Sequence, residues 1–493
     1  MNHKYNIEKQ HNKQKYHAIE RILLLLDQNS FKEIGSGINN YEYNHEKADA
    51  KASSYDGVIT GRGTIGGKTV FIYSQDFTIL GGSIGLNHGR KIAHTIRMAR
   101  KAKCPVIGLY DSGGARISEG INALAGCGEL MHQNTLASGV IPQISIIVGP
   151  CAGAAAYSPA LCDFVFMVDH IGQLYITGNK VIESVTGEKC SLQELGGARV
   201  HSEKSGVSHF LFTSEKKCYV EVRKLIKTLP SYYEEKKFYR FISYIEKETS
   251  IDSLLPLDDK TSYDMHTLVQ AIVDENSWIE VHKGYADHMI TAFAKLNDIT
   301  VGIVANNPMV NSGCIDRNSS DKAARFVRFC DCFNIPILTF VDTPGYLPGI
   351  EEEHEGIIRH GAKLLFAYSE ASTIKITVVV RKAYGGAYIA MGSKHLGADY
   401  VYASNQACLA VMGAEGAVSI LYHKDIEEDE SQKDEYVKAY KEKYMNARIA
   451  ASEGYVDEII SLNDLRQRVF EDIKAFENKE KSMIQKKHGN IPL

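Results

Sequence analysis

Two stretches of glycine and alanine stand where backbone chemistry is possible: GPCAGAAAY at 149 to 157 and RKAYGGAY at 381 to 388, each directly after an apolar run. These side chains offer almost no reactive groups, so any chemistry must come from the main chain. A strand that passes through small residues into a helix leaves the first amides of that helix without partners, and these attract negative charge. Two amides aimed at one point form an oxyanion hole, where loss of one donor costs on the order of 3 kcal/mol of transition-state stabilisation. Small residues also let a ligand approach the backbone closely. The candidate pairs are Gly153 with Ala154 and Gly386 with Ala387. A competing reading is that the glycines only let a helix pack closely on a strand; two turns at matching places weaken that reading.

Other candidate chemistry is thinner. Ser112, Gly113, Gly114 and Arg116 lie in SGGAR, which lacks the context of a serine-nucleophile elbow. It reads either as a plain turn or as a phosphate-binding loop with Arg116 as countercharge. No GxxxxGK[ST] loop occurs, which argues against ATP hydrolysis. Cys151, beside the first turn, reads as a small core residue. The ten cysteines form no CxxC pair, so neither a zinc ribbon nor a disulfide framework is expected, and they read as reduced cytoplasmic thiols.

The elements that must hold the turns form an internal repeat. Thr69 to Ile84, TVFIYSQDFTILGGSI, parallels Thr300 to Ile315, TVGIVANNPMVNSGCI, each residue meeting its counterpart 231 positions on. The register carries through HGRKIAHTIRMARKAKCPVIGLYDSGG and SSDKAARFVRFCDCFNIPILTFVDTPG, so that Asp111 meets Asp342. Each copy spells a helix, a proline and a β-branched run closed by Asp and glycine. A second strand then enters each small-residue turn, followed by FVFMVD and LYITG in one copy and YVYAS and LAVMG in the other. Strands alternating with helices predict an α/β fold duplicated in tandem, with domains at 1–240 and 241–493.

Composition agrees. A chain of 493 residues is too long for one core. Its 56 Lys and Arg against 60 Asp and Glu argue against a nucleic-acid or membrane-surface binder. The N-terminal apolar run Ile22 to Leu26 is too short for a signal peptide. Val140 to Cys162 is uncharged, but its prolines, Gln143 and Ser145 argue for strand, turn and helix rather than a membrane span. Residues 227–260 read as a linker, and the charged stretch from Asp425 as a solvated helix.

At these residues the chain resembles the carboxyltransferase (β) subunits of biotin-dependent acyl-CoA carboxylases of the propionyl-CoA carboxylase type, and the α subunits of methylmalonyl-CoA decarboxylase. The resemblance runs from about Asp27 to Leu493 and rests on SQDFTILGGSIG, DSGGARISEGINALAG, ITGNKVIESVTGE, SGCIDRNSSDKAARFVRFCD, RKAYGGAYIAMGSKHLGAD and KKHGNIPL, besides the first turn. It implies two crotonase-like domains, a homohexamer, and a site completed between chains. Acyl-CoA would bind on the first domain, with Gly153 and Ala154 holding the thioester enolate oxygen and Ser112, Gly113, Gly114 and Arg116 nearby. Biotin on a separate carrier would bind on the second, with Gly386 and Ala387 holding its ureido oxygen and Tyr388 and Ile389 beside it. No general base from the protein and no metal would be needed.

The resemblance also implies partners, since the chain has no biotinylation motif and no ATP loop: a biotin carboxyl carrier and, in the synthetic direction, a biotin carboxylase. Departures from the family pattern are Ala154 for glycine, Ser118 for Gln, His354-Glu355 for Tyr-Gly, Ser404-Asn405 for Trp-Pro, and Ile389 where propionyl-type members carry Asp. The expected activity is carboxyl transfer to acetyl- or propionyl-CoA. The alternatives are methylmalonyl-CoA decarboxylation and a non-catalytic assembly subunit.

Overall fold

A computed structural model describes residues 7–40, 55–235, 250–258, 261–480 and 486–492. The chain divides into two compact units, residues 1–236 and 237–493. The expected boundary at 240/241 lies outside the described residues.

In the first unit a short N-terminal helix, α1 (Ala18–Leu25), precedes strands β1 (Lys32–Ile34), β2 (Val58–Ile65), β3 (Lys68–Gln75), β4 (Val106–Ser112), β5 (Gln143–Ala152), β6 (Phe164–Val168), β7 (Gln173–Tyr175) and β8 (Phe210–Phe212). Sheet order is β1-β2-β3-β4-β5-β6-β8, with β7 paired to the far end of β5. The β2–β3 hairpin is antiparallel, and from β3 onward the strands are parallel. Helices α2 (Leu86–Ala102) and α3 (Ile121–Ala137) make the crossovers, and α4 (Ala154–Ala160) follows β5 directly.

The local causes are legible. Along α2 the buried Leu86, Gly89, Ile92, Ala93, Ile96 and Ala99 recur at three- and four-residue spacing. Gly89 lets α2 touch α3 backbone to backbone, because a β-carbon there would lie 2.2 Å from the Gly126 carbonyl oxygen. Lys103, left-handed at φ 55°, ends the helix ahead of Pro105. Strand β4 is buried along its whole length, as a central parallel strand covered on both faces must be.

The second unit repeats this plan with β9 (Ile279–Val281), β10 (Met289–Leu296), β11 (Ile299–Asn306), β12 (Ile337–Thr343), β13 (Lys375–Tyr384), β14 (Tyr400–Ser404), β15 (Cys408–Ala410) and β16 (Glu458–Ile460). Its order is β9-β10-β11-β12-β13-β14-β16, with β15 paired to β13. Helices α5 (Arg317–Cys332), α6 (Ile357–Glu370) and α7 (Gly385–Ala390) stand where α2, α3 and α4 stand in the first. Even the irregularities recur. The β4–β5 register shifts between Tyr110 and Ser112, and the β12–β13 register between Val341 and Thr343. Each shift falls at the buried Asp of its copy. The charged stretch beyond Asp425 forms several short segments rather than one helix: His423–Glu428, Lys433–Tyr440 and Ala447–Ser452. Among the described residues no helix is long and apolar enough to cross a membrane.

Candidate functional site

The first turn is held by β7. Ala152 pairs with Tyr175 in the ladder, and the next amide, that of Gly153, donates to the Tyr175 carbonyl at 2.9 Å. Gly153 then turns at φ 58°, ψ −129°, a conformation that strains any residue with a β-carbon, and α4 begins. This corrects the expected donor pair: the Gly153 amide is already engaged. Among the described residues no partner accepts from the amides of Ala154 or Ala155, so these are the open donors.

The second turn settles the register between the copies. Tyr384 pairs with Ala410 as Ala152 pairs with Tyr175, and Gly385 takes the same left-handed bend at φ 60°. Gly153 therefore corresponds to Gly385, and the expected pair Gly386 and Ala387 corresponds to Ala154 and Ala155. The two pairs read from the sequence were one residue out of step. Gly386 is exposed and Ala387 buried, and neither amide has a partner among the described residues. A β-carbon on Gly386 would meet only the Tyr346 ring, at 3.8 Å. The equivalent Ala154 is therefore an unstrained replacement.

Beside the first turn runs the SGGAR segment, laced to the left-handed residues Leu80, Gly81 and Gly82. The Gly113 amide donates to the Gly81 carbonyl at 2.9 Å, the Ile84 amide to the Gly114 carbonyl at 2.8 Å, and the Gly114 amide to Ser112 Oγ at 3.2 Å. Gly114 has φ 97°, and a β-carbon there would lie 2.8 Å from the Ala152 carbonyl oxygen, so this segment walls the turn. Ser112, Gly113 and Gly114 are thus brought to the turn.

Arg116 is not. It is 3% exposed and its guanidinium is shared among Asp56 Oδ1 at 2.6 Å, Glu119 Oε1 at 2.7 Å and the Ser83 carbonyl at 2.8 Å. With its donors so taken, the expected phosphate countercharge at Arg116 is corrected to a buried structural pair.

In the second unit Gly385, Gly386, Tyr388, Ile389, Val411 and Tyr455 line a pocket of about 480 Å³. The Tyr388 hydroxyl is buried and has no hydrogen-bond partner among the described residues. Burial, with Tyr455 nearby, pushes its pKa up to about 12, so it stays protonated and able to donate. The His395 ring packs between Tyr388 and Tyr455, its centroid 6.0 Å and 4.8 Å from theirs. Sequence reading found Tyr388 and Ile389 but missed His395, which sits within RKAYGGAYIAMGSKHLGAD yet was given no role, and Tyr455, which lies far along the chain with no motif of its own. Ser404 closes the turn after β14, donating to the Val380 carbonyl at 2.5 Å and accepting from the Gln406 amide.

Two tandem α/β units, each ending a parallel strand in a turn with open amides, define a crotonase-like protein. The chain belongs to the carboxyl transferase domain family, which matches residues 9–491. It is 46% identical over 489 residues to the propionyl-CoA carboxylase beta chain of Roseobacter denitrificans, covering 99% of this chain and 96% of that one. Over 491 residues it is 46% identical to methylmalonyl-CoA decarboxylase subunit alpha of Veillonella parvula, covering 99% and 95%. Among solved structures it superposes on transcarboxylase 12S, crystallised with methylmalonyl-coenzyme A and methylmalonic acid, with TM-score 0.95 and 45% identity, covering 99% of this chain and 94% of that one.

Proposed function

We propose that this carboxyltransferase moves a carboxyl group between biotin on a separate carrier protein and the α-carbon of a short acyl-CoA. The observation that carries the reading is the pair of equivalent turns, each offering two open amides ahead of a short helix. In the first unit the Ala154 and Ala155 amides would hold the thioester oxygen as negative charge develops on it, a job suited to fixed dipoles in a water-poor site. The wall of Ser112, Gly113 and Gly114 would fix the thioester against them.

The second unit fits a ureido ring. The Gly386 and Ala387 amides would donate to its oxygen, the Tyr388 hydroxyl offers a further donor, and Ile389 and Val411 give its apolar part a surface. Bound there, biotin supplies the carboxyl group. Exposed apolar side chains on both units, Ile117 at 96% and Val411 at 82%, support burial in a symmetric assembly such as the hexamer named for the 12S relative.

Turnover of the full chain with a biotinylated carrier, across acetyl-, propionyl- and methylmalonyl-CoA, tests this. Transfer to propionyl- or acetyl-CoA is expected. Because the half-reaction is reversible, its direction is set by the partner: discharge of the carboxylated carrier by membrane subunits would assign the decarboxylase direction, and charging by a biotin carboxylase the synthetic one. Inactivity with every thioester would leave an assembly subunit.

A further inference from the structure

A second pocket, of about 580 Å³, lies in the first unit between α2 and the loop that follows β1. Asn87, Arg90, Lys91, His94 and Arg97 enter it from one face of α2, at the three- and four-residue spacing of a helical stripe. Gly35 to Asn39 form the opposite wall, tied down where Asn87 Nδ2 donates to the Asn39 carbonyl at 2.9 Å. No atom lies within 4 Å of the β-carbon position of Gly37, so that part of the wall is bare backbone.

The charges in this pocket do not balance. Glu129 is its one acidic lining residue, and it pairs with Arg90 at 3.0 Å. Lys91 is 3% exposed, and its ammonium donates only to carbonyls, those of Tyr55 at 2.9 Å and Val58 at 2.6 Å. Arg97 and His94 have no hydrogen-bond or ion-pair partner among the described residues. Lys91 also feels the carboxylates of Glu33 and Asp56, which lie outside the pocket lining; Arg97 is the cation left without a carboxylate, a half-exposed guanidinium beside the His94 imidazole. That is the composition of an anion site, in which a guanidinium offers the fork geometry phosphate prefers.

We infer that this pocket binds a phosphate dianion, carried either by the 3′-phosphate of the acyl-CoA or by a separate phosphorylated solute. For the first source the inference rests on the carboxyl-transfer reading, and contacts connect the pocket to the acyl turn. Gly114 abuts the Ala152 carbonyl; two residues on, Arg116 pairs with Glu119; Glu119 Oε2 accepts the Leu86 amide at 2.7 Å; and Asn87, the next residue, enters the pocket. The volume lies within the range of sites for ligands of nucleotide size.

Calorimetric titration of the full chain with CoA, dephospho-CoA and inorganic pyrophosphate, without turnover, tests it. Arg97 has no partner to lose, so Arg97→Gln is expected to keep the wild-type unfolding midpoint; Arg97→Lys, which retains the charge, serves as second variant. If the site takes the coenzyme's own phosphate, CoA binds about tenfold more tightly than dephospho-CoA, a gap worth one charged hydrogen bond, and Arg97→Gln removes it. If it takes a separate solute, the two coenzymes bind alike, while pyrophosphate binds the wild type and is lost in Arg97→Gln. Binding of all three probes unchanged in Arg97→Gln and in the His94→Gln/Arg97→Gln double variant overturns the inference. So does a wild type that neither distinguishes the coenzymes nor binds pyrophosphate. Because nothing here depends on carboxyl transfer being observed, either result leaves the proposed activity to its own test.

Discussion

The two units build the same turn over the same buried aspartate, yet neutralise that aspartate by different routes. In the second unit Arg381, on β13 itself, reaches Asp342 at 3.1 Å, and the Tyr263 hydroxyl adds a bond at 2.9 Å. In the first unit the matching position on β5 is Gly149, where a β-carbon would lie 1.9 Å from Asp111 Oδ1. The countercharges come instead from the N-terminal segment: Lys15 at 2.6 Å and the fully buried Arg21 at 3.0 Å, with Arg21 also bonded to Glu215. One copy carries its countercharge within the strand, and the other borrows it from a segment before the domain. The pairing is thus a property of the fold position, whatever residue satisfies it, because a carboxylate buried at the strand shift cannot stay charged alone.

The helices after the turns differ as well. On α4 Ser158 joins a buried chain from Tyr73 through Tyr110 to Asn134, with oxygen separations of 2.5, 2.8 and 2.9 Å. The corresponding position on α7 is the buried Ala390. The first unit's helix is thus held by directional bonds and the second unit's by packing.

The largest expected effect would break the equivalence of the turns. Gly386→Val places a branched side chain where the second unit's amides face the pocket, and carboxyl transfer from the carrier should fall by about 10²- to 10³-fold. Unchanged turnover would remove that turn from the mechanism. Next, Arg21→Gln leaves Asp111 and Glu215 short of a buried countercharge and should cost the first unit about 3–5 kcal/mol. Denaturant unfolding followed by hydrogen exchange in each unit reads this: protection should drop in residues 55–235 and hold in 261–480. A loss shared equally would mean that the N-terminal segment does not serve the first unit in particular.

Acid should separate the units more gently. His88 is fully buried, its Nδ1 donating to the Asp56 carbonyl and its Nε2 accepting from Gln75, and burial, then Arg116, lowers its pKa from 6.5 to about 3. The matching residue, Ser319, does not titrate. Because the folded pKa lies below the unfolded one, the unfolded chain takes the proton first as pH falls. This contribution is complete above about pH 6.5 and drains by at most about 1.4 kcal/mol per pH unit down to about pH 3. The first unit should therefore lose exchange protection faster between pH 7 and 5, and His88→Gln should narrow the gap. The smallest effect sharpens the comparison: Gly386→Ala copies Ala154, fits 3.8 Å from Tyr346, and should change turnover by no more than about twofold.

Much of this was legible in order along the chain. The 231-residue echo from Thr69 and Thr300 announced the duplication, because repeated apolar spacing dictates repeated elements. The chemistry of the turns could be read from Gly153 and Gly386, since only small residues leave the backbone open. The donors themselves could not. Whether the Gly153 amide is open depends on Tyr175, which β7 brings alongside from more than twenty residues away. Arg116 looked like a ligand for phosphate because its partners Asp56 and Ser83 lie far off in sequence, and Tyr455 was invisible for the same reason.

The sequence by itself determined the duplicated α/β plan, the family and the two turns, because each follows from local spacing and from residues too small to do anything else. Only the tertiary structure decided which amides remain open, that Ala154–Ala155 answers to Gly386–Ala387, and which cations are already paired. Those are questions of who occupies each donor, and strand register and burial settle them by joining residues that the chain keeps apart.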